Sequence, residues 1–75
     1  MPDPAMQDWR RTLGESVRRL RTARGMTQEQ LAFDAEIDLT YLGGIERGKR
    51  NPSLLVIVRI ANALSVRPAE LLKQR

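Results

Sequence analysis

The chain contains no cysteine and no histidine. Their absence excludes disulfide bonds, thiolate zinc sites, a cysteine nucleophile and a histidine general base. The acidic residues offer no pair placed in a plausible pocket. The sequence therefore predicts a protein that is not an enzyme and that uses no cofactor, no metal and no small-molecule ligand.

Long apolar segments are also missing. The longest aliphatic run, residues 54–58, is far too short to span a bilayer, and the first residues, MPDPAMQ, lack the apolar core of a signal peptide. We therefore expect a cytoplasmic protein with no membrane partner, in which residues 1–7 form a flexible N-terminal arm and residues 8–75 form one domain. A chain of 75 residues builds only a modest core, which favours oligomerisation.

Positive charge is abundant, and the formal net charge is +4. A basic surface attracts nucleic-acid phosphates, although a run of charges also occurs on solvated helix faces. Most of the 13 lysine and arginine residues form two groups, which are Arg10, Arg11, Arg18, Arg19, Arg21 and Arg24, followed by Arg47, Lys49 and Arg50.

The apolar spacing predicts five helices and no strands. The first helix covers residues 8–24 and ends at Gly25 in a left-handed cap, after which Met26 folds back onto the core. Its buried face is predicted to consist of Trp9, Leu13, Val17 and Leu20.

Residues 27–48 predict two short helices joined by a tight turn. Thr27 and Gln30 have the spacing of a capping box, T-x-x-Q, at the start of the first of these helices. Asp38 is a good N-cap for the next helix, and Gly48 is a natural stop. The inward positions are predicted to be Leu31, Ala32, Ala35, Leu42 and Ile45. Two short helices at this separation form a helix-turn-helix arrangement. Because the basic groups occur next to this arrangement, they favour nucleic acid as the partner.

The remaining segments predict two more helices. Ser53 caps a fourth helix over residues 54–64, and a fifth begins at Pro68, where Arg67 is a weak cap. The core-facing side of the fourth helix is predicted to consist of Leu54, Ile57, Ala61 and Leu64.

These segments resemble the Xre/Cro-like helix-turn-helix family, which includes phage repressors and the controller proteins of restriction–modification systems. The matching pieces are LGESVRRLRTARGMTQEQLA (residues 13–32), YLGGIERGKRNPS (41–53), RIANAL (59–64) and PAELL (68–72). The resemblance implies an all-α, five-helix lambda-repressor-like DNA-binding domain. It also implies a sequence-specific regulator of transcription that binds double-stranded DNA as a homodimer on an operator, in the way of autoregulatory controller proteins.

The family alignment places five residues at exposed base-contacting positions. Leu39 can contact a thymine methyl group, and the Thr40 hydroxyl can bond several bases. The glycine pair is a departure, because many relatives carry Ser or another polar residue where this chain has Gly43. Either the glycines let the backbone approach DNA closely, or they reflect drift at an exposed site or a poorly read base. Arginine contacts and DNA shape would then carry more of the specificity. The base-contacting candidates are Asp38, Leu39, Thr40, Gly43 and Gly44.

The resemblance also implies contacts with the phosphate backbone. Gln28 matches a position that grips a phosphate with its amide, aided by the helix N-terminus, although a plain surface glutamine is the alternative. Tyr41 either binds a phosphate or packs against the preceding helix, and Arg18 and Arg19 are weaker candidates. The full set is Gln28, Tyr41, Arg47, Lys49, Arg50, Asn51, Arg18 and Arg19.

Two further roles follow from the family. Relatives bury the glutamate that matches Glu46 against an arginine of the first helix, which here is Arg21, so we expect a structural ion pair. Trp9 is expected in the core or over the edge between the fourth and fifth helices, rather than stacked on a base.

A symmetric dimer is expected because one domain reads only about half a turn of duplex. The alternative is that the same apolar residues complete the core of the monomer. The residues predicted to form the dimer interface are Leu55, Val56, Val58, Val66, Ala69, Leu71 and Leu72.

A second hypothesis is that the protein is an antitoxin or adaptor whose main target is another protein. The basic segment KRNP and Gln28 argue against a purely protein-binding role, because such a role has no need of them. RNA polymerase is a further partner to consider for a regulator of this type.

Overall fold

The computed structural model describes residues 8–74, so the predicted arm at residues 1–7 lies outside the described residues. Four α-helices are followed by a short 3-10 helix, and there is no strand within this range. The α-helices are α1 (Trp9–Ala23), α2 (Gln28–Ala35), α3 (Leu39–Glu46) and α4 (Leu54–Ala63), and the 3-10 helix is Pro68–Leu72.

The prediction of a fifth α-helix is wrong, because this segment forms a 3-10 helix. The segment that begins at Pro68 has only five residues, and Arg67 makes no side-chain hydrogen bond that would cap it. At Lys73 the backbone returns to an extended conformation. A segment this short forms a single tight 3-10 turn more readily than a continuous α-helix.

The N-terminus of each α-helix is capped by a side chain. Thr27 accepts the Gln30 N–H at 3.0 Å while Gln30 Oε1 accepts the Thr27 N–H at 2.8 Å, which confirms the capping box. Asp38 accepts the Tyr41 N–H at 3.1 Å. Ser53 caps α4 in the same way. Side-chain caps replace the hydrogen bonds that the first turn of a helix lacks, so they fix where each helix begins.

At the start of α1, Asp8 acts as the cap and accepts the Arg10 N–H. The Arg10 guanidinium also donates to the Asp8 carboxylate at 3.0 Å, and this hydrogen bond lowers the pKa of Asp8. The other end of α1 is closed by Gly25 at φ +68°, the predicted left-handed position, and Met26 packs against the core.

The core lies between α1, α2, α3, α4 and the 3-10 helix. Helix α2 packs on α3 and α4, while α1 packs on α3 and on the 3-10 helix. The predicted inward positions of the helix-turn-helix are all buried. The buried apolar residues are Leu13, Val17, Leu31, Ala32, Ala35, Leu42, Ile45, Ile60, Ala61, Leu64 and Leu71.

Two apolar residues predicted in the core are exposed. Leu54, with 74% of its surface exposed, is the first residue of α4, and the fully buried residues on this helix are Ile60, which was not predicted, and Ala61, which was. Trp9, at the start of α1, is 46% exposed. Both residues lie in the first turn of a helix. Helical periodicity shows which side of a helix faces inward, but it does not show whether a neighbouring element extends far enough to cover the first turn.

No helix within residues 8–74 is long and apolar enough to cross a membrane.

Candidate nucleic-acid interface

The start of α3 presents polar and apolar side chains to solvent. Asp38, Leu39 and Thr40 are all exposed, and the next inward residue is Leu42, which is fully buried. The first turn is therefore anchored on one side and open on the other. A helix-turn-helix reads base edges with this part of its second helix, and here the side chains of that part are exposed.

The sequence predicts that the glycine pair of α3 is exposed, and this prediction is wrong. Gly43 and Gly44 are both buried, because two arginine side chains lie across them. A Cβ atom at Gly43 would lie 3.2 Å from Nη1 of Arg47, and one at Gly44 would lie 2.9 Å from Cγ of Arg50. The glycines therefore leave a shallow depression on the surface of α3, and arginines occupy it.

Tyr41 helps to hold one of these arginines. Its ring is half-buried and packs against the core. This observation agrees with the alternative in which Tyr41 packs inside the domain, although the predicted contact was with the preceding helix. The guanidinium carbon of Arg50 lies 5.7 Å from the ring centroid, within the range of a cation–π interaction. Arg50 thus lies along α3, where it contacts the Tyr41 ring and occupies the room left by the missing side chain of Gly44.

The ion pair between α1 and α3 is confirmed. Arg21 Nε donates to Glu46 Oε2 at 2.7 Å, and Arg21 Nη2 donates to Glu46 Oε1 at 3.1 Å. The two side chains are 12% and 3% exposed. A bidentate pair at this burial fixes the end of α3 against α1.

Gln28 belongs to the same network, through a contact with Glu46 that the sequence does not predict. Its Nε2 donates to Glu46 Oε1 at 2.9 Å, so it is not a plain surface glutamine. Arg21 Nη1 also donates to the carbonyl of Met26 at 2.8 Å. Gln28 and Glu46 are on different helices, and no periodic pattern in the sequence pairs them.

The other proposed phosphate contacts are distributed over α1 and the loop after α3. Arg47, Lys49, Arg50 and Asn51 are exposed around the end of α3. Arg18 is exposed on α1, whereas Arg19 is half-buried and lines a shallow cleft with Glu15 and Lys73. The loop residues thus follow the end of α3, where the side chains of Arg47 and Arg50 lie close to Gly43 and Gly44.

The residues predicted at the dimer interface fall into three classes of burial. Leu71 is fully buried in the core, so its side chain is not available at a surface, which corrects that prediction. Its 3-10 helix packs against α1 and α4, and Leu71 belongs to the core between these elements. Val56, Val58 and Val66 are half-buried, while Leu55, Ala69 and Leu72 are exposed.

The capped helix pair, its buried inward face and its exposed, arginine-flanked second helix define a helix-turn-helix domain. The family model described as helix-turn-helix matches residues 17–71. The chain belongs to this family of DNA-binding transcriptional regulators, which is not a family of enzymes.

Similar proteins include controllers of restriction–modification systems. The chain is 47% identical over 60 residues to "Control protein C.BamHI" of Bacillus amyloliquefaciens, a match that covers 79% of this chain and 74% of that protein. The crystal structure of the controller protein C.AhdI from Aeromonas hydrophila matches with a TM-score of 0.81 and 48% identity, over 83% of this chain and 94% of that one. The hypothetical transcription factor NHTF from Neisseria matches with a TM-score of 0.86 and 37% identity, over 97% and 82%.

Proposed function

We propose that this regulator binds an operator in double-stranded DNA as a homodimer and controls its own promoter, a function that follows from its resemblance to the autoregulatory controller proteins. The observation that carries the proposal is the surface of α3. Its first turn is exposed, and the exposed cations Arg47, Lys49 and Arg50 follow directly after its last helical residue. Exposed side chains at the start of the second helix suit base contacts, and the positive charge after its end suits contacts with phosphates.

Within this interface, different residues have different roles. Asp38, Leu39 and Thr40 face base edges from the first turn of α3. Lys49 and Asn51 bind the sugar-phosphate backbone, together with Gln28 at the start of α2. Gly43 and Gly44 contribute no side chains, and the arginines that lie over them, Arg47 and Arg50, supply contacts in their place. Arg18 and Arg19 of α1 are secondary contributors of positive charge.

The homodimer is proposed from the exposed apolar residues of α4 and the C-terminal segment. Leu55 is 61% exposed, and Leu54 beside it is 74% exposed. Together with Ala69 and Leu72, and with the partly exposed Val56, Val58 and Val66, these residues provide an apolar surface that a second copy would cover. Two symmetric domains would then read half-sites about 10 bp apart or a multiple of that distance.

The proposal is tested by binding of the purified protein to the DNA upstream of its own gene, compared with a scrambled duplex of the same composition over a range of salt concentrations. We expect a preference of about a thousandfold or more for the upstream DNA, with a cooperative transition. Equal and weak binding to both duplexes that disappears at high salt would leave only non-specific electrostatic attraction. That outcome would reject the proposal that the protein binds an operator in this DNA, and it would favour the hypothesis of an antitoxin or adaptor that binds a protein. RNA polymerase would be a second partner if the regulator activates its promoter.

A further inference from the structure

The buried carboxylate of Glu46 is shared by side chains from two other helices. Its Oε1 accepts hydrogen bonds from Arg21 of α1 at 3.1 Å and from Gln28 of α2 at 2.9 Å. An ionised carboxylate accepts hydrogen bonds and donates none. The side-chain amide of Gln28 is therefore obliged to turn its Nε2, and not its Oε1, toward Glu46.

This orientation determines what Gln28 can offer to DNA. Nε2 carries two hydrogens, of which Glu46 takes one and the other remains for a second acceptor. If the amide were reversed, its carbonyl oxygen would replace the donor, and a phosphate accepts hydrogen bonds in the same way as a carboxylate. The amide must therefore be held in one of its two orientations before it can bind a phosphate without rearrangement.

We propose that Glu46 is a positioning residue for DNA binding, which acts through Gln28. Its carboxylate holds the Gln28 amide with an N–H available for a backbone phosphate at the start of α2. A glutamine with several free torsions would lose rotamer entropy when it bound, whereas one already held loses less. The inference rests on the proposed function, because it takes Gln28 to be a phosphate contact.

Arg21 supports this arrangement from α1. Besides binding Glu46, it donates through Nη1 to the Met26 carbonyl at 2.8 Å. Met26 immediately precedes Thr27, the N-cap of α2. One arginine therefore fixes both the carboxylate that orients Gln28 and the loop that leads into α2, so that the amide and the helix N-terminus are placed together.

A double-mutant cycle on DNA affinity tests the inference. Loss of one hydrogen bond to a charged phosphate predicts that Gln28→Ala lowers operator affinity about tenfold. Glu46→Gln, which can present either a donor or an acceptor to Gln28, is expected to lower affinity severalfold in the otherwise unchanged protein and less than about twofold in the Q28A background. A purely structural role for Glu46 predicts the same loss of affinity in both backgrounds, and that result would overturn the inference.

Glu46→Gln also breaks a buried ion pair, so a second measurement uses the unchanged protein without DNA. The side-chain ¹⁵N relaxation of Gln28 is expected to show an amide that is rigid on the picosecond–nanosecond timescale. Gln30, whose Oε1 accepts the Thr27 N–H at 2.8 Å, provides an internal reference for a held amide. A Gln28 amide that is much more mobile than that of Gln30 would contradict the proposal without any variant.

The outcomes separate this inference from the proposed function. If the unchanged protein shows no preference for the upstream duplex, the operator-binding function fails and the inference fails with it. If the preference is present but Q28A binds as well as the unchanged protein, or the two losses are additive, only the positioning role of Glu46 is rejected.

Discussion

Gly14 of α1 lies directly against the backbone of Glu46, the last residue of α3. A Cβ atom at Gly14 would be 2.7 Å from the carbonyl oxygen of Glu46 and 2.9 Å from its carbonyl carbon. Two turns further along α1, Arg21 binds the side chain of the same glutamate. Helix α1 thus contacts the end of α3 through a backbone-to-backbone approach and through an ion pair.

Gly14→Ala should destabilise the fold, because the clashing atoms belong to a backbone that cannot rotate away. Overpacking of this kind costs up to about 3 kcal/mol, and the better helix propensity of alanine offsets about 1 kcal/mol. We expect the free energy of unfolding to fall by about 2 kcal/mol, measured by urea denaturation. Gly25→Ala is a comparison without a steric clash, since nothing lies within 4 Å of its Cβ position; its φ of +68° alone should cost about 1 kcal/mol. A G14A variant as stable as the unchanged protein would show that α1 and α3 are not in tight contact.

The ion pair between Arg21 and Glu46 should contribute to stability far more than the surface pairs do. Its side chains are 12% and 3% exposed, so removing one partner leaves a buried charge. We expect Arg21→Met to lower the free energy of unfolding by about 3–5 kcal/mol. Glu15→Gln removes the Arg11–Glu15 pair, whose side chains are 80% and 68% exposed, and should change it by less than about 1 kcal/mol. Equal effects of the two substitutions on the urea midpoint would contradict this difference.

Gly44→Ala should change DNA specificity and leave the fold intact. The new Cβ would lie 2.9 Å from Cγ of Arg50, and that exposed side chain would have to move. Alanine in place of a helical glycine favours α3 by about 1 kcal/mol, which offsets the cost of moving Arg50, so the melting temperature should change little. Binding to a set of operator duplexes, each with one base pair changed, should show an altered preference at a defined position. Gly43→Ala approaches only Nη1 of Arg47, at 3.2 Å, and should have a smaller effect. An unchanged base preference in G44A would exclude a role for Arg50 in specificity.

The two lysines provide a comparison of phosphate contacts. Lys49 is exposed in the loop beside α3, whereas Lys73 follows the 3-10 helix and pairs with Glu70 at 3.2 Å. Lys49→Gln should weaken binding about equally for all duplexes and reduce the slope of log affinity against log salt by about 1 for each bound protomer. Lys73→Gln should leave the slope unchanged. The proposed DNA-binding face would be misplaced if K73Q reduced the slope and K49Q did not.

The apolar surface of α4 should control association between copies of the chain. A charge at Leu55, which is 61% exposed, costs little in the monomer but opposes burial in an interface. We expect Leu55→Glu to keep its helical circular dichroism while sedimentation shows a monomer at concentrations where the unchanged protein is a dimer. Phe33→Glu is a control on another exposed apolar residue, at 83% exposure on α2, and should leave the dimer intact. Monomeric behaviour of the unchanged protein would reject the dimer itself.

The sequence by itself determined where the helices begin and which class of protein the chain forms. Thr27, Asp38 and Ser53 could be recognised as caps because a cap needs only a side chain and an N–H group within about three residues. The inward positions of α2 and α3 followed in the same way from helical periodicity. The Arg21–Glu46 pair was predicted from the resemblance to a family, and its geometry agrees.

Tertiary structure alone decided how the helices fit together and therefore what the surface presents. Helix α4 is apolar on more than one side, so its pattern did not show that Ile60 would be buried and Leu54 exposed. The burial of Gly43 and Gly44 depends on arginines that fold back over α3. Gln28 and Glu46 are 18 residues apart and meet only because α2 and α3 pack at a fixed angle. Contacts of this kind depend on the relative placement of whole helices. Capping hydrogen bonds and helical periodicity involve only residues close in the sequence, so they do not reveal that placement.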